Sequence, residues 1–219
     1  MNKVVEIFYS IEGEGKRVGR PCLFVRLHGC NLECSYCDTR YACDEDVYSE
    51  MDFDDILAEL ENLVPIHDCN LVTLTGGEPL LEFSSAMALV DNLCNVGYEV
   101  NVETNGSVNL NRGAFLKPDG MFYTMDLKCP SSGMMNRQQI ENLAELDQND
   151  VLKLVVSDEN DILWARDVLS ENPTMAEVFI SPVWGRMDMP LMAKYAKENG
   201  WRCQVQLHKI IWSPDERGV

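Results

Sequence analysis

Apolar residues follow two rhythms along this chain. Runs rich in Val, Ile, Leu, Phe and Tyr have the length and β-branched content of strands: "VVEIFY" (4–9), "CLFVRLH" (22–28), "NLVTLT" (70–75), "YEVNVET" (98–104), "MFYTMDLK" (121–128), "DVLKLVVS" (150–157) and "EVFISP" (177–182). Between them lie segments with apolar residues at helical spacing. "FDDILAELENLV" (53–64) is one, with Asp52 placed to cap it; "LLEFSSAMALVDNLCNV" (80–96) is another, closed by Gly97. Further helices are predicted at about 136–146, 160–171 and 188–199, and "RCQVQLH" (202–208) reads as the last strand, with His208 at its end.

Strand–helix alternation of this kind means right-handed βαβ units and a parallel sheet. The polar and unusual residues gather where strands end, in "TGGEP", "ETNG", "DLKCP", "VVSD" and "SPVWG". In α/β sheets and barrels the carboxyl ends of strands form the site. About six or seven parallel strands are too few for a full eight-fold barrel, which takes about 250 residues. The predicted fold is therefore α/β, an incomplete TIM-type barrel with mostly parallel strands. No repeat or low-complexity linker interrupts the chain, so residues 1–219 are expected to form one domain.

Charge and cysteine usage narrow the picture. The net charge of −18 argues against gripping nucleic acid, which depends on Lys and Arg, but leaves room for a small anionic substrate held by local cations. The chain shows neither a basic-then-apolar leader nor an apolar run near 18 residues, so neither a signal peptide nor a membrane span is expected. Nine cysteines, an odd number without a secretory signal, point to a reducing, cytoplasmic setting in which clustered thiols bind metal or do chemistry. The acidic runs "DEDVYSEMDFDD" and "ENLAELDQND" are read as solvated faces.

Four of the cysteines crowd into "GCNLECSYCDTRYAC" (29–43), directly after the second predicted strand. A structural zinc site usually shows two close C-x2-C pairs, and here only Cys34 and Cys37 make one. A redox C-x-x-C at a helix start would not need Cys30. Three thiolates on one loop, Cys30, Cys34 and Cys37, suit three irons of a [4Fe–4S] cube whose fourth iron stays open to bind a ligand. A zinc-stabilised module without catalysis remains the rival from another class.

The C-x3-C-x-aromatic-C pattern, with Tyr36 as the aromatic, resembles the signature of radical S-adenosylmethionine enzymes. "TGGEP" (75–79) closes the next strand, where that family's GGEP motif belongs, and "ETNG" (103–106) closes the third. The resemblance implies that the open iron chelates the methionine moiety of S-adenosylmethionine, and that an electron from the cluster then releases a 5′-deoxyadenosyl radical. It implies cofactor contacts at Tyr36, Cys37, Asp38, Gly77, Glu78, Glu103, Asp126, Lys128 and Ser181. Two glycines let the backbone approach a ligand closely.

"EIFYSIEGEGKRVGRPCLFVRLHGCNLECSYCDTRYA" and the late "QVQLHK" resemble a narrower family, the 7-carboxy-7-deazaguanine synthases. Those enzymes make a deazapurine core from 6-carboxy-5,6,7,8-tetrahydropterin, losing ammonia. Ile11, Glu12, Gly13 and Glu14 match the family's substrate loop; Arg26, Thr75 and His208 match substrate positions; Thr39 matches a Mg²⁺ ligand. Many members have Gln where this chain has Glu12, and a carboxylate accepts but cannot donate unless protonated. Without the resemblance, Arg26 would read as a strand arginine paired with an acid such as Glu14. In some members the chain ends near Pro214 and its carboxylate meets substrate; here "DERGV" extends past that point. The resemblance further implies an electron donor such as a flavodoxin or ferredoxin and a homodimer. Within the superfamily the rival is a glycyl-radical activating enzyme, which needs a groove for a peptide loop.

Overall fold

Alternate residues of the central strands face two environments, and that division positions everything else. The computed structural model describes residues 1–44, 47–111, 113, 116–213 and 216–219. Its strands are β1 (Asn2–Ile11), β2 (Pro21–Leu27), β3 (Ser49–Met51), β4 (Leu71–Gly76), β5 (Glu99–Thr104), β6 (Met121–Leu127), β7 (Val151–Val156), β8 (Glu177–Pro182) and β9 (Arg202–Cys203). They form one sheet in the order β3-β1-β2-β4-β5-β6-β7-β8-β9. From β2 to β9 every neighbouring pair is parallel, whereas β1 runs antiparallel to both β2 and β3. This is the open, mostly parallel β/α arrangement that the strand–helix alternation predicts.

Strand side chains alternate with a period of two. Val25, Leu74, Val102, Met125, Leu154 and Ile180 therefore share one face and join the main hydrophobic core. The opposite parity holds Arg26, Thr73, Thr75, Asn101, Glu103, Thr124, Asp126, Lys153 and Ser181. A parallel sheet covered on both faces reads as continuous apolar runs; polar residues at every second position mark instead a hollow lined by hydrogen-bonding groups.

Helices α1 (Phe53–Leu63), α2 (Phe83–Asn95), α3 (Glu159–Glu171) and α4 (Met189–Asn199) cover the apolar face. The predicted cap holds: Asp52 accepts from the Asp55 backbone N at 3.0 Å while Asp55 accepts from the Asp52 N at 3.1 Å. Asp158 and Asp188 cap α3 and α4 in the same way on one side. Past α2, Gly97 N and Tyr98 N turn back to Cys94 O and Leu93 O, ending the helix where predicted.

Three expectations are corrected. The helix at 136–146 is instead a pair of short 3-10 turns, Met135–Arg137 and Ile140–Ala144. Gln138 there gives its amide to Asn105 O and takes Lys128 N, while Asn142 bonds Leu110 N, Gly106 O and Val108 O. These side chains tie the segment to the β5–β6 connection, and the ties replace a regular helical ladder. The last strand stops at Cys203, because Gln204 N makes the final bond to β8, at Ile180 O, and Leu207 N turns to Gly13 O. His208 accordingly opens a short helical turn, His208–Ile211. Finally, the second acidic run is not a solvated face throughout: Asn142, Leu143, Leu146 and Asp150 are buried, and Asp150 accepts from Tyr123 N and pairs with Lys117. In the first run Ser49–Met51 form a largely exposed edge strand on β1, as a solvated face allows, and Glu45 and Asp46 lie outside the described residues. Among the described residues no helix is long and apolar enough to cross a membrane.

Candidate active site

A cleft of about 840 Å³ opens at the carboxyl ends of the strands. Strand residues Arg26, Thr75, Glu103, Asp126 and Lys153 line its floor, and the cysteine loop forms one wall with Cys30, Cys34, Tyr36, Cys37, Asp38 and Thr39. Ile11–Glu14 and His208 form the opposite wall, and Glu216–Val219 fold back over the same cleft.

The cysteine loop is held from outside by the glycine turn after β4. Glu78 N donates to Gly29 O at 2.8 Å and Gly77 N to Leu27 O at 3.3 Å. A Cβ on Gly77 would lie 2.2 Å from Gly29 O and 2.8 Å from Cys30 Cβ, so no larger residue fits while the loop stays in place. Glu78 does not line the cleft. Its fully buried carboxylate accepts from Leu80 N, Asn105 N and the Thr104 hydroxyl, bracing the end of β4 against the end of β5. Burial pushes its carboxyl up to about 7 despite those donors.

The three thiols fit a cluster. Cys30, Cys34 and Cys37 are free and all open onto the cleft. Leu32 N and the Asn105 side-chain amide point at Cys30 Sγ, at 3.4 and 3.6 Å, which suits a sulfur carrying negative charge. Burial raises the Cys34 thiol, and the charge of Lys128 offsets only part of that rise, so a bound metal ion would have to supply the rest of what a thiolate needs. Among the described residues no three His, Cys, Asp or Glu side chains converge as ligands of a single ion. Thr39 Oγ1 faces the cleft 3.8 Å from Cys37 Sγ; it is one hard oxygen, to which Mg²⁺ would add waters and substrate oxygens.

A chain of buried charges crosses the floor. Lys128 Nζ meets Asp126 Oδ2, Asp126 Oδ1 lies 3.3 Å from Lys153 Nζ, and Lys153 Nζ bonds Glu14 Oε2 at 3.0 Å. Glu14 Oε1 accepts from Ser181, which itself accepts from Gln204. Burial alone would raise Asp126, but Lys128 and then Lys153 hold it below the usual carboxylate range. Ser181 is fully buried behind the cleft and does not line it.

Glu12 sits deeper still, 2% exposed, its carboxylate accepting from Thr73 Oγ1 at 2.5 Å. Burial, and next the charge of Glu103, push it up to about 7. His208 stands against the same loop: a Cβ on Gly13 would lie 2.1 Å from His208 Nδ1, so glycine is the residue that lets the ring in. Burial holds this imidazole below its usual 6.5, which favours its neutral form. Asp38 pairs with Lys209, which overcomes burial and keeps its carboxyl low. Arg26 pairs with Glu6 through Nε at 2.6 Å, not with Glu14. Tyr41 donates to the same Glu6 oxygen, and Arg217 of the tail stacks on the Tyr41 ring at 4.0 Å.

Of the residues singled out from sequence, all but Glu78 and Ser181 line this one cleft. Sequence reasoning missed Lys153, Glu6, Asn105 and Arg217. Only Lys153 carried a local signal, as the one charged residue in "VLKLVV".

An incomplete parallel barrel that presents three C-x3-C-x2-C thiols beside a glycine turn and a polar cleft defines a class of iron–sulfur enzyme. Residues 24–152 match the family model of the radical SAM superfamily. Over nearly its whole length the chain is 40% identical to 7-carboxy-7-deazaguanine synthase of Clostridium acetobutylicum, with 99% of each chain covered. It is 38% identical to the enzyme of that name from Methanospirillum hungatei, covering 97% of this chain and 86% of that one. The crystal structure of QueE from Escherichia coli shares the fold, with a TM-score of 0.74 over 94% of each chain at 21% identity. The chain belongs to the radical SAM superfamily and, within it, to the family of 7-carboxy-7-deazaguanine synthases. Membership brings a [4Fe–4S] cluster and S-adenosylmethionine as cofactors.

Proposed function

We propose that this chain converts 6-carboxy-5,6,7,8-tetrahydropterin to 7-carboxy-7-deazaguanine with loss of ammonia, as a lyase of queuosine-type 7-deazapurine biosynthesis. The observation that carries the reading is the meeting, in one cleft, of the three-cysteine loop with the Ile11–Glu14 loop, Arg26 and His208. When bound, the cluster and S-adenosylmethionine would supply radical chemistry at the pterin. Cys30, Cys34 and Cys37 hold the cluster, while Gly77, Glu103, Asp126 and Lys128 face the cofactor and Tyr36 walls it in. Glu78 and Ser181 act one layer back, the first by bracing Asn105 and the second by orienting Glu14.

On the substrate side, the backbone of Ile11–Gly13 and the Glu14 carboxylate take the pyrimidine-like edge of the pterin. Arg26 presents its remaining guanidinium nitrogens to the substrate carboxylate, with Nε already fixed on Glu6. Neutral His208 can either donate or accept at the ring. Thr39 would hold Mg²⁺ only together with that carboxylate, since one hydroxyl is a poor site by itself. Reduction by a flavodoxin or ferredoxin, a cytoplasmic setting and a homodimer complete the reading; nine free cysteines suit a reducing compartment.

The test is anaerobic incubation of the reconstituted protein with reductant, S-adenosylmethionine and 6-carboxytetrahydropterin, followed by mass analysis. A product of the deazapurine mass, with S-adenosylmethionine regenerated, is expected. Cofactor cleavage without that product would keep the superfamily chemistry and discard the substrate.

A further inference from the structure

Lys153 belongs to no motif, yet it is the only cation among the described residues recorded within ion-pair distance of acids from both halves of the cleft. Its Nζ lies 3.0 Å from Glu14 Oε2 and 3.3 Å from Asp126 Oδ1. The three side chains are 10%, 10% and 16% exposed, so water screens them little. Each acid is also held on its far side: Asp126 by Lys128, whose charge is felt by Tyr36 and Cys34, and Glu14 by Ser181. One lysine charge is thus shared between a carboxylate facing the cofactor and a carboxylate facing the pterin.

We propose that Lys153 is a positioning residue that couples the two ligand subsites, so that filling either one tightens the other. The inference rests on the pterin reading above. A ligand that fixes Glu14 fixes the ammonium between the two acids and so orders Asp126 before the second ligand arrives. The second ligand then meets an already ordered partner, which is positive coupling without a large movement. Linkage requires the factor to be the same in both directions.

The test uses the cluster-loaded protein, oxidised and anaerobic so that nothing turns over. The affinity for S-adenosylmethionine is measured with and without 6-carboxytetrahydropterin, and the pterin affinity with and without S-adenosylmethionine. Each ligand should tighten the other by about fivefold or more in the native protein. In Lys153→Met that ratio should fall to near one, and Lys153→Arg should restore part of it. A merely structural role would weaken both affinities and leave the ratio unchanged, and that result overturns the proposal. A ratio of one in the native protein overturns it too, whether or not the variants fold. Failure of the pterin to bind at all would instead strike the substrate reading, and the coupling with it.

Discussion

Replacing Glu12 with Gln should stabilise the protein above neutral pH, by an amount that the surroundings of Glu12 determine. The carboxyl is 2% exposed and shares its region with the carboxylate of Glu103, while Arg17 and the Thr73 hydroxyl compensate only in part. Its pKa rises from 4.5 to about 7. The native state therefore keeps a proton that the unfolded chain releases near 4.5, and stability is lost as pH rises from there to about 7. Above that range the full penalty is about 3 kcal/mol, and relaxation around a partly coupled group lowers it to about 2. Gln is nearly the same shape, carries no charge, and still offers an oxygen to Thr73. Urea denaturation of native and Glu12→Gln protein at pH 4 and pH 8 reads the difference. The two should match closely at the lower pH, and the variant should be the more stable by about 2 kcal/mol at the higher. A difference that stays constant with pH would show that Glu12 titrates alike in the native and unfolded states and that the burial argument is wrong. A proton on Glu12 also makes it a donor, as an amide is, so turnover of Glu12→Gln should stay near that of the native protein.

Other outcomes follow from the same geometry. Cys34→Ala should abolish cluster loading and cofactor cleavage, read by iron content and by the EPR signal on reduction; full activity would refute the cluster assignment. Thr39→Ala should keep cofactor binding but lower Mg²⁺-dependent turnover, seen in a magnesium titration. Gly77→Ala places a Cβ 2.2 Å from a backbone oxygen and should cost cluster retention as well as stability, measured as iron bound per chain after gel filtration. Gly13→Ala collides with the His208 ring instead, so it should fold and load the cluster while losing turnover.

How far the chain could be read in advance followed how locally each feature is encoded. Strand parity, the Asp52 cap and the C-x3-C-x2-C spacing are each encoded within a few consecutive residues, and all reappear in the structure. "RCQVQLH" alternates as a strand should, but a strand exists only while a neighbour offers bonds. Here β8 gives its last at Ile180, and Gly13 O, on a loop far away in sequence, takes the next segment. "NRQQIENLAEL" (136–146) has helical spacing, but its Gln138 and Asn142 amides satisfy backbone groups of the β5–β6 connection. The ion pairs of the site are encoded more remotely still. Arg26 with Glu6 depends on the β1–β2 register, and Lys153 with Glu14 joins residues separated by most of the chain.

The glycine motif shows why even a matched motif leaves its mechanism open. Read as a string, "GGEP" suggests a backbone left bare for a ligand and a carboxylate reaching towards it. In the folded chain Gly77 is bare because the cysteine loop packs against it, and Glu78 is turned away to clamp Thr104 and Asn105. Asn105 in turn directs its amide at Cys30 Sγ. The motif can therefore govern cofactor chemistry through the position of a cysteine as much as through contact. Weakening the Glu78 brace should then disturb the cluster's spectrum before it disturbs the affinity for S-adenosylmethionine.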